Sequence, residues 1–149
     1  MTDLMTEQGA AEDAGPAESP PGGELNAAVA RAVVGIYRDV AGRGPTRARA
    51  FFRDDVLVVV LRDVLTTGER SMVRAGRADS ARATRDALQD VMRDALIAAV
   101  ERITGRRVEV LLGSSEAESG VAAQVFLLDH PVHAVAADAT APRYANGER

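Results

Sequence analysis

Gly42-Arg43-Gly44-Pro45 carries the most pointed chemistry in this chain. Glycines let successive backbone amides turn toward one point, and an adjacent arginine adds a two-pronged donor. That combination suits a small oxyanion such as bicarbonate or phosphate. Gly42, Arg43 and Gly44 are therefore candidate ligand-binding residues, with Arg49 a further cation a few residues on. The same four residues also make a plain helix stop and chain reversal, with Arg43 held by a carboxylate or by helix carbonyls. Turn chemistry favours this second role.

Arg47, Arg49 and Arg53 share an alternating face with Phe51. A nucleic-acid interface would use the arginines for phosphates and Phe51 for stacking. An edge strand that carries charge to deter aggregation would use the same residues. A net charge of -4 and a pI near 5.2 favour the edge strand, so no nucleic-acid partner is expected. Asp54-Asp55 could seat a hard cation, but adjacent aspartates are also good turn formers. His130 and His133 flank Pro131, which breaks the helix that would align two imidazoles on one metal. No metal site is expected.

Other chemistries are excluded by residue type. The chain has no cysteine, which removes disulfides, thiolate zinc sites and Cys nucleophiles. All 18 basic residues are Arg, so lysine Schiff-base chemistry is excluded too. That usage points to a GC-rich coding genome of the actinobacterial kind. No nucleophile elbow, Walker loop, Rossmann glycine fingerprint or H-E-x-x-H motif occurs. No catalytic residue is assigned, no cofactor is expected, and the chain reads as a non-enzyme.

The elements that must position these residues follow from composition and periodicity. Residues 1–22 are rich in Ala, Gly, Pro and acids and predict a disordered acidic arm. Residues 23–129 predict a single folded domain, and residues 130–149 a flexible tail. Leu25, Val29, Val33, Ile36 and Val40 fall at helical spacing, with Gly42 as the stop. Arg47–Phe52 and Val56–Leu61 predict a hairpin about the Asp54-Asp55 turn.

Thr66 and Glu69 fit a capping box that opens a short helix, broken at Gly76. A long helix follows from about Asp79 to Ile103, with Ala87, Leu88, Val91, Ala95, Ala98, Ala99 and Ile103 near one face. Arg107–Leu112 and Val121–Leu128 predict two more strands around a polar loop, Gly113 to Gly120. The order is α-β-β-α-α-β-β. It predicts an α+β fold with helices on one face of a four-stranded antiparallel sheet.

Several of these segments, in this order and spacing, resemble the MpsC family. They are Gly42-Arg43-Gly44-Pro45, the Asp54-Asp55 turn with its Val-rich strand, Val64-Leu65-Thr66 with Glu69, Ile103-Thr104-Gly105, and the closing Phe126-Leu127-Leu128-Asp129. Asp63 and Thr67 depart from the family's usual Gly and Pro. The family is named for a Na+-translocating membrane potential-generating system. The resemblance thus implies an accessory protein of a membrane cation or inorganic-carbon uptake system, and brings no catalytic residues with it.

No run approaches the roughly 20 apolar residues of a membrane span, and no basic block precedes an apolar one at the start of the chain. The expectation is a cytoplasmic protein without direct membrane insertion. A homodimer is expected because a sheet covered on one side leaves a face or edge to bury. A membrane-transporter subunit is the further expected partner.

Overall fold

The computed structural model describes residues 22–132. The arm expected over residues 1–22 and the tail expected over 130–149 thus lie mostly outside the described residues. Helix α1 (Gly23–Ala41) leads into strands β1 (Arg47–Arg53) and β2 (Val56–Arg62). Helices α2 (Thr67–Arg74) and α3 (Ala78–Thr104) follow, then β3 (Val108–Glu116) and β4 (Val121–Leu128). The strands form one antiparallel sheet in the order β1-β2-β4-β3. This is the α+β fold and the element order that the hydrophobic pattern predicts.

Two helix ends have a clear local cause. Gly42 closes α1 at φ 77, where its amide reaches the Arg38 carbonyl at 3.0 Å. At α2, the Thr66 hydroxyl accepts from the Glu69 amide at 3.3 Å. The Glu69 carboxylate accepts in turn from the Thr66 amide at 2.7 Å.

Helices α1 and α3 stack on one face of the sheet, and α2 packs against α3. Val29, Val33 and Tyr37 of α1 and Met92, Leu96 and Val100 of α3 meet the inward row of the strands. That row includes Leu57, Val59 and Leu61 of β2 and Ala122, Phe126 and Leu128 of β4. Burying each large aliphatic residue contributes roughly 1.5–3 kcal/mol, so this layer supplies most of the drive to fold.

The structure departs from the sequence reading in three places. The buried stripe of α3 is Ala81, Arg85, Met92, Leu96, Ala99 and Val100, whereas Ala87, Val91, Ala95 and Ala98 are exposed. Two polar residues, Arg85 and Gln89, occupy core-side positions of the helix. They made the alanine-rich neighbouring face look like the apolar one. Strand β3 runs on through Ser114 and Ser115 to Glu116, because β4 offers Ala123, Ala122 and Val121 as continuing partners. Polar side chains do not stop an edge strand whose backbone is still paired. The folded unit also extends past Asp129. Val132 donates its amide to the Asp54 carbonyl at 3.1 Å and packs against the core.

Candidate functional site

Of the two roles open to the Gly42–Pro45 turn, the structure shows the helix stop and chain reversal, with its arginine committed to the protein. Arg43 Nη2 donates to Asp63 Oδ2 at 2.6 Å, while Nη1 donates to the Asp63 carbonyl at 3.0 Å and the Leu65 carbonyl at 2.7 Å. Asp63 also accepts from Arg70 Nη1 at 3.0 Å. Hydrogen bonding from Arg43 is the main cause that holds the Asp63 carboxyl below its ordinary range. Gly42 serves as the helix stop. Gly44 packs closely on α1, where a Cβ would come within 3.2 Å of Val34 Cγ1. The turn therefore ties α1 to the β2–α2 connection. Arg49 shares no hydrogen bond or ion pair with Arg43. It stands exposed on β1, level with Val60 of β2.

A second polar cluster lies in the core, and no sequence motif signalled it. Gln124 of β4 donates to the Tyr37 hydroxyl at 2.8 Å. It also exchanges a reciprocal pair of amide hydrogen bonds with Gln89 of α3, at 2.9 and 2.5 Å. Burial pushes the Tyr37 hydroxyl up in pKa, against the lowering effect of Gln124 and Arg85. Arg85 lies 5.7 Å from the Tyr37 ring centre and pairs with Glu69 at 3.3 Å, both side chains almost wholly buried. It donates as well to the Val64 carbonyl at 3.1 Å. The space beside Tyr37, Arg85 and Gln89 measures about 10 Å³, too small for a ligand. These groups satisfy one another and lock α1, α2, α3 and β4 together.

The other flagged groups stay apart. Asp54 sits at the hairpin tip with φ 54, in a turn role. His130 is exposed beside Asp129 at 3.2 Å, and His133 lies outside the described residues. Among the described residues, no three His, Asp or Glu side chains are placed to share a metal ion.

What remains is the sheet face away from the helices. Strand pairing puts Phe51 of β1, Val58 of β2, Val125 of β4 and Leu112 of β3 side by side in one row. The next row toward the far end of the sheet is Arg49, Val60, Ala123 and Ser114. Phe51 is 49% exposed and Leu112 59%. No described element packs on this face. A broad concavity of about 1050 Å³ opens along its β1 side, lined by Arg47, Arg49, Phe51, Val60 and Arg62 among others. The nucleic-acid candidates thus do share one face, where Arg62 stands beside Arg47 and the other β2 neighbours are valines.

A sequence profile described as "Na+-translocating membrane potential-generating system (MpsC)" matches residues 22–130, nearly all of the folded unit. The chain belongs to the MpsC family. No curated protein and no solved structure gave a match. Among the described residues, this MpsC-family fold contains no helix long and apolar enough to cross a membrane.

Proposed function

We propose that this MpsC-family chain is a non-catalytic accessory protein that works by binding other proteins, the first of them a second copy of itself. The observation that carries this is the apolar face built from Phe51, Val58, Val125 and Leu112, on which none of the described helices packs. Contiguous exposed apolar surface of this kind marks interaction sites. The buried charged residues support a structural rather than catalytic use, since Arg85 and Glu69 are spent on each other and on the capping box. Through its family, the protein is connected with a membrane potential-generating system. Its role there would be that of a cytoplasmic subunit attached to a membrane cation or inorganic-carbon transporter.

The test is crosslinking of tagged chain in its native cells, followed by separate recovery from membrane and soluble fractions. The expected product contains an integral-membrane transporter subunit together with the chain. Recovery of the chain bound only to itself would end the transporter assignment and leave self-association standing.

A further inference from the structure

We propose that two copies pack their open sheet faces together about a two-fold axis parallel to the strands, so that β1 of one lies over β3 of the other. This deepens the self-association put forward above and rests on it.

The argument starts from strand register. At one end of the sheet, pairing lines up Arg47, Arg62, Val121 and Glu116 in a single row across the open face. At the other end the row is Arg53, Val56, Leu127 and Val110, with Glu109 the extra residue of a bulge beside Val110. Each end row is therefore basic on β1 and acidic at the β3 edge. Glu116 is held at that edge by the Ser119 amide, which donates to one carboxylate oxygen at 2.8 Å.

A face-to-face dimer can place its axis in two simple ways. An axis across the strands sets β1 over β1 and exchanges the two end rows. Arg47 would then face the partner's Arg53, and Glu116 the partner's Glu109. Like charges brought together at an interface oppose association. An axis along the strands keeps each row at its own end and reverses its order. Arg47 then meets the partner's Glu116, and Arg53 the partner's Glu109. In the middle, Phe51 comes over the partner's Leu112, joining the two most exposed apolar side chains of the face. Every contact is made twice, as a two-fold interface requires. Packed sheets stay aligned within about 30°, which keeps the end pairs within reach of an arginine.

The face is of suitable size. Four strands of seven residues make a surface about 19 Å by about 23 Å, so two copies with their rims bury on the order of 1,000 Å², near the lower bound for a specific interface. The acidic segment before Gly22 could meet the arginines, but Met1, Leu4 and Met5 are its only large apolar residues. A second copy brings an equal face of valines.

The full-length chain is tested by sedimentation equilibrium, with thermal melts to confirm that each variant folds. Arg47→Glu is expected to weaken the dimer about tenfold. Adding Glu116→Arg to the same chain is expected to restore it. Independently, Arg49→Cys and Ser114→Cys chains are mixed and treated with a short bis-maleimide, which spans the roughly 10 Å between packed sheets. The chain has no other cysteine, so a mixed 49-to-114 product reports this axis alone. A dimer that gives no such product and no recovery by the charge exchange overturns the axis while leaving self-association intact. A wild-type chain that stays monomeric up to high micromolar concentration overturns both.

Discussion

Asp63 holds two arginines at once, Arg43 at 2.6 Å and Arg70 at 3.0 Å, from a left-handed backbone position with φ 59. Left-handed conformation is costly for most side chains and nearly free for glycine, with Asp and Asn between them. The chain thus accepts some backbone strain at a position where the MpsC resemblance implies glycine. In return it gains a carboxylate that joins the α1–β1 turn to helix α2. Asp63→Asn keeps the backbone tolerance and removes the charge, so it should lower the melting temperature at neutral pH. Asp63→Gly relieves strain and deletes the bridge together, so its difference from Asp63→Asn isolates the strain. A Gly variant at least as stable as wild type would show that the bridges contribute no more than the strain costs.

The same carboxylate gives a pH dependence with a definite sign. Its folded pKa is depressed below the unfolded value of about 3.9. Its contribution is therefore fully present above that unfolded value and is lost as pH falls through the folded one. Glu116 and Asp129 are also depressed. Glu116 is lowered first by its hydrogen bond with Ser119. At Asp129 burial is the largest effect and pushes upward, but hydrogen bonds from Arg107 and His130 help to outweigh it. Denaturant midpoints taken from pH 6 down to pH 2.5 should fall for wild type below about pH 4. The Asp63→Asn midpoint should fall less steeply over the same window. Parallel curves would remove Asp63 from the acid response.

Gly113 is small because a helix side chain passes over it. A Cβ there would overlap the amide nitrogen of Gln89 and come within 2.5 Å of Gln124 Oε1. Gly113→Ala should therefore break the reciprocal amide pair and cost about 1–3 kcal/mol, read from urea denaturation. The Gln89→Ala background supplies the control. With that amide already gone, Gly113→Ala should add little, so the two changes should be strongly non-additive. Additive costs would mean that the glycine serves the backbone of β3 instead.

The ion pair of Arg85 and Glu69 has side chains only 2% and 3% exposed. Removing one partner leaves a buried charge without compensation, and Arg85→Met should cost about 3–5 kcal/mol. Glu69→Gln neutralises the remaining charge while keeping an oxygen for the Thr66 amide. The double variant should be more stable than Arg85→Met alone, as measured by thermal or urea unfolding. A double variant less stable than the single one would show that Glu69 contributes mainly through its cap.

Much of this architecture was written in local signals. The Asp54-Asp55 hairpin, the Thr66–Glu69 capping box and the stops at Gly42 and Gly105 each depend on a few adjacent residues, and each stands where those residues are. The MpsC resemblance rests on the same segments. The open face was legible in outline, because Arg47, Arg49, Phe51 and Arg53 alternate and only one of the two faces of β2 could be taken by the helices. Its charge pattern was not legible, because it depends on which strands are neighbours. Glu116 meets the row of Arg47 only through the order β1-β2-β4-β3. The partner of Arg43 was foreseen as a carboxylate but not as Asp63, twenty residues away.

The periodicity of α3 points only partly to its buried face: Leu88, Ala99 and Ile103 meet the core, whereas Ala87, Val91, Ala95 and Ala98 do not, and the difference makes its own test. Val91 falls in the periodic stripe and is 67% exposed, while its neighbour Met92 is 1% exposed in the core. A helix turns about 100° per residue, so neighbouring positions at the margin of the stripe can differ sharply in burial, and a shifted stripe exchanges their roles. Val91→Glu should change stability by no more than about 0.5 kcal/mol, as surface substitutions do. Met92→Glu would bury an unpaired carboxylate against Tyr37 and Leu96, and should leave the chain largely unfolded at neutral pH by circular dichroism. If Val91→Glu proved as damaging as Met92→Glu while the dimer interface was intact, α3 would have to carry a second partner on its outer side.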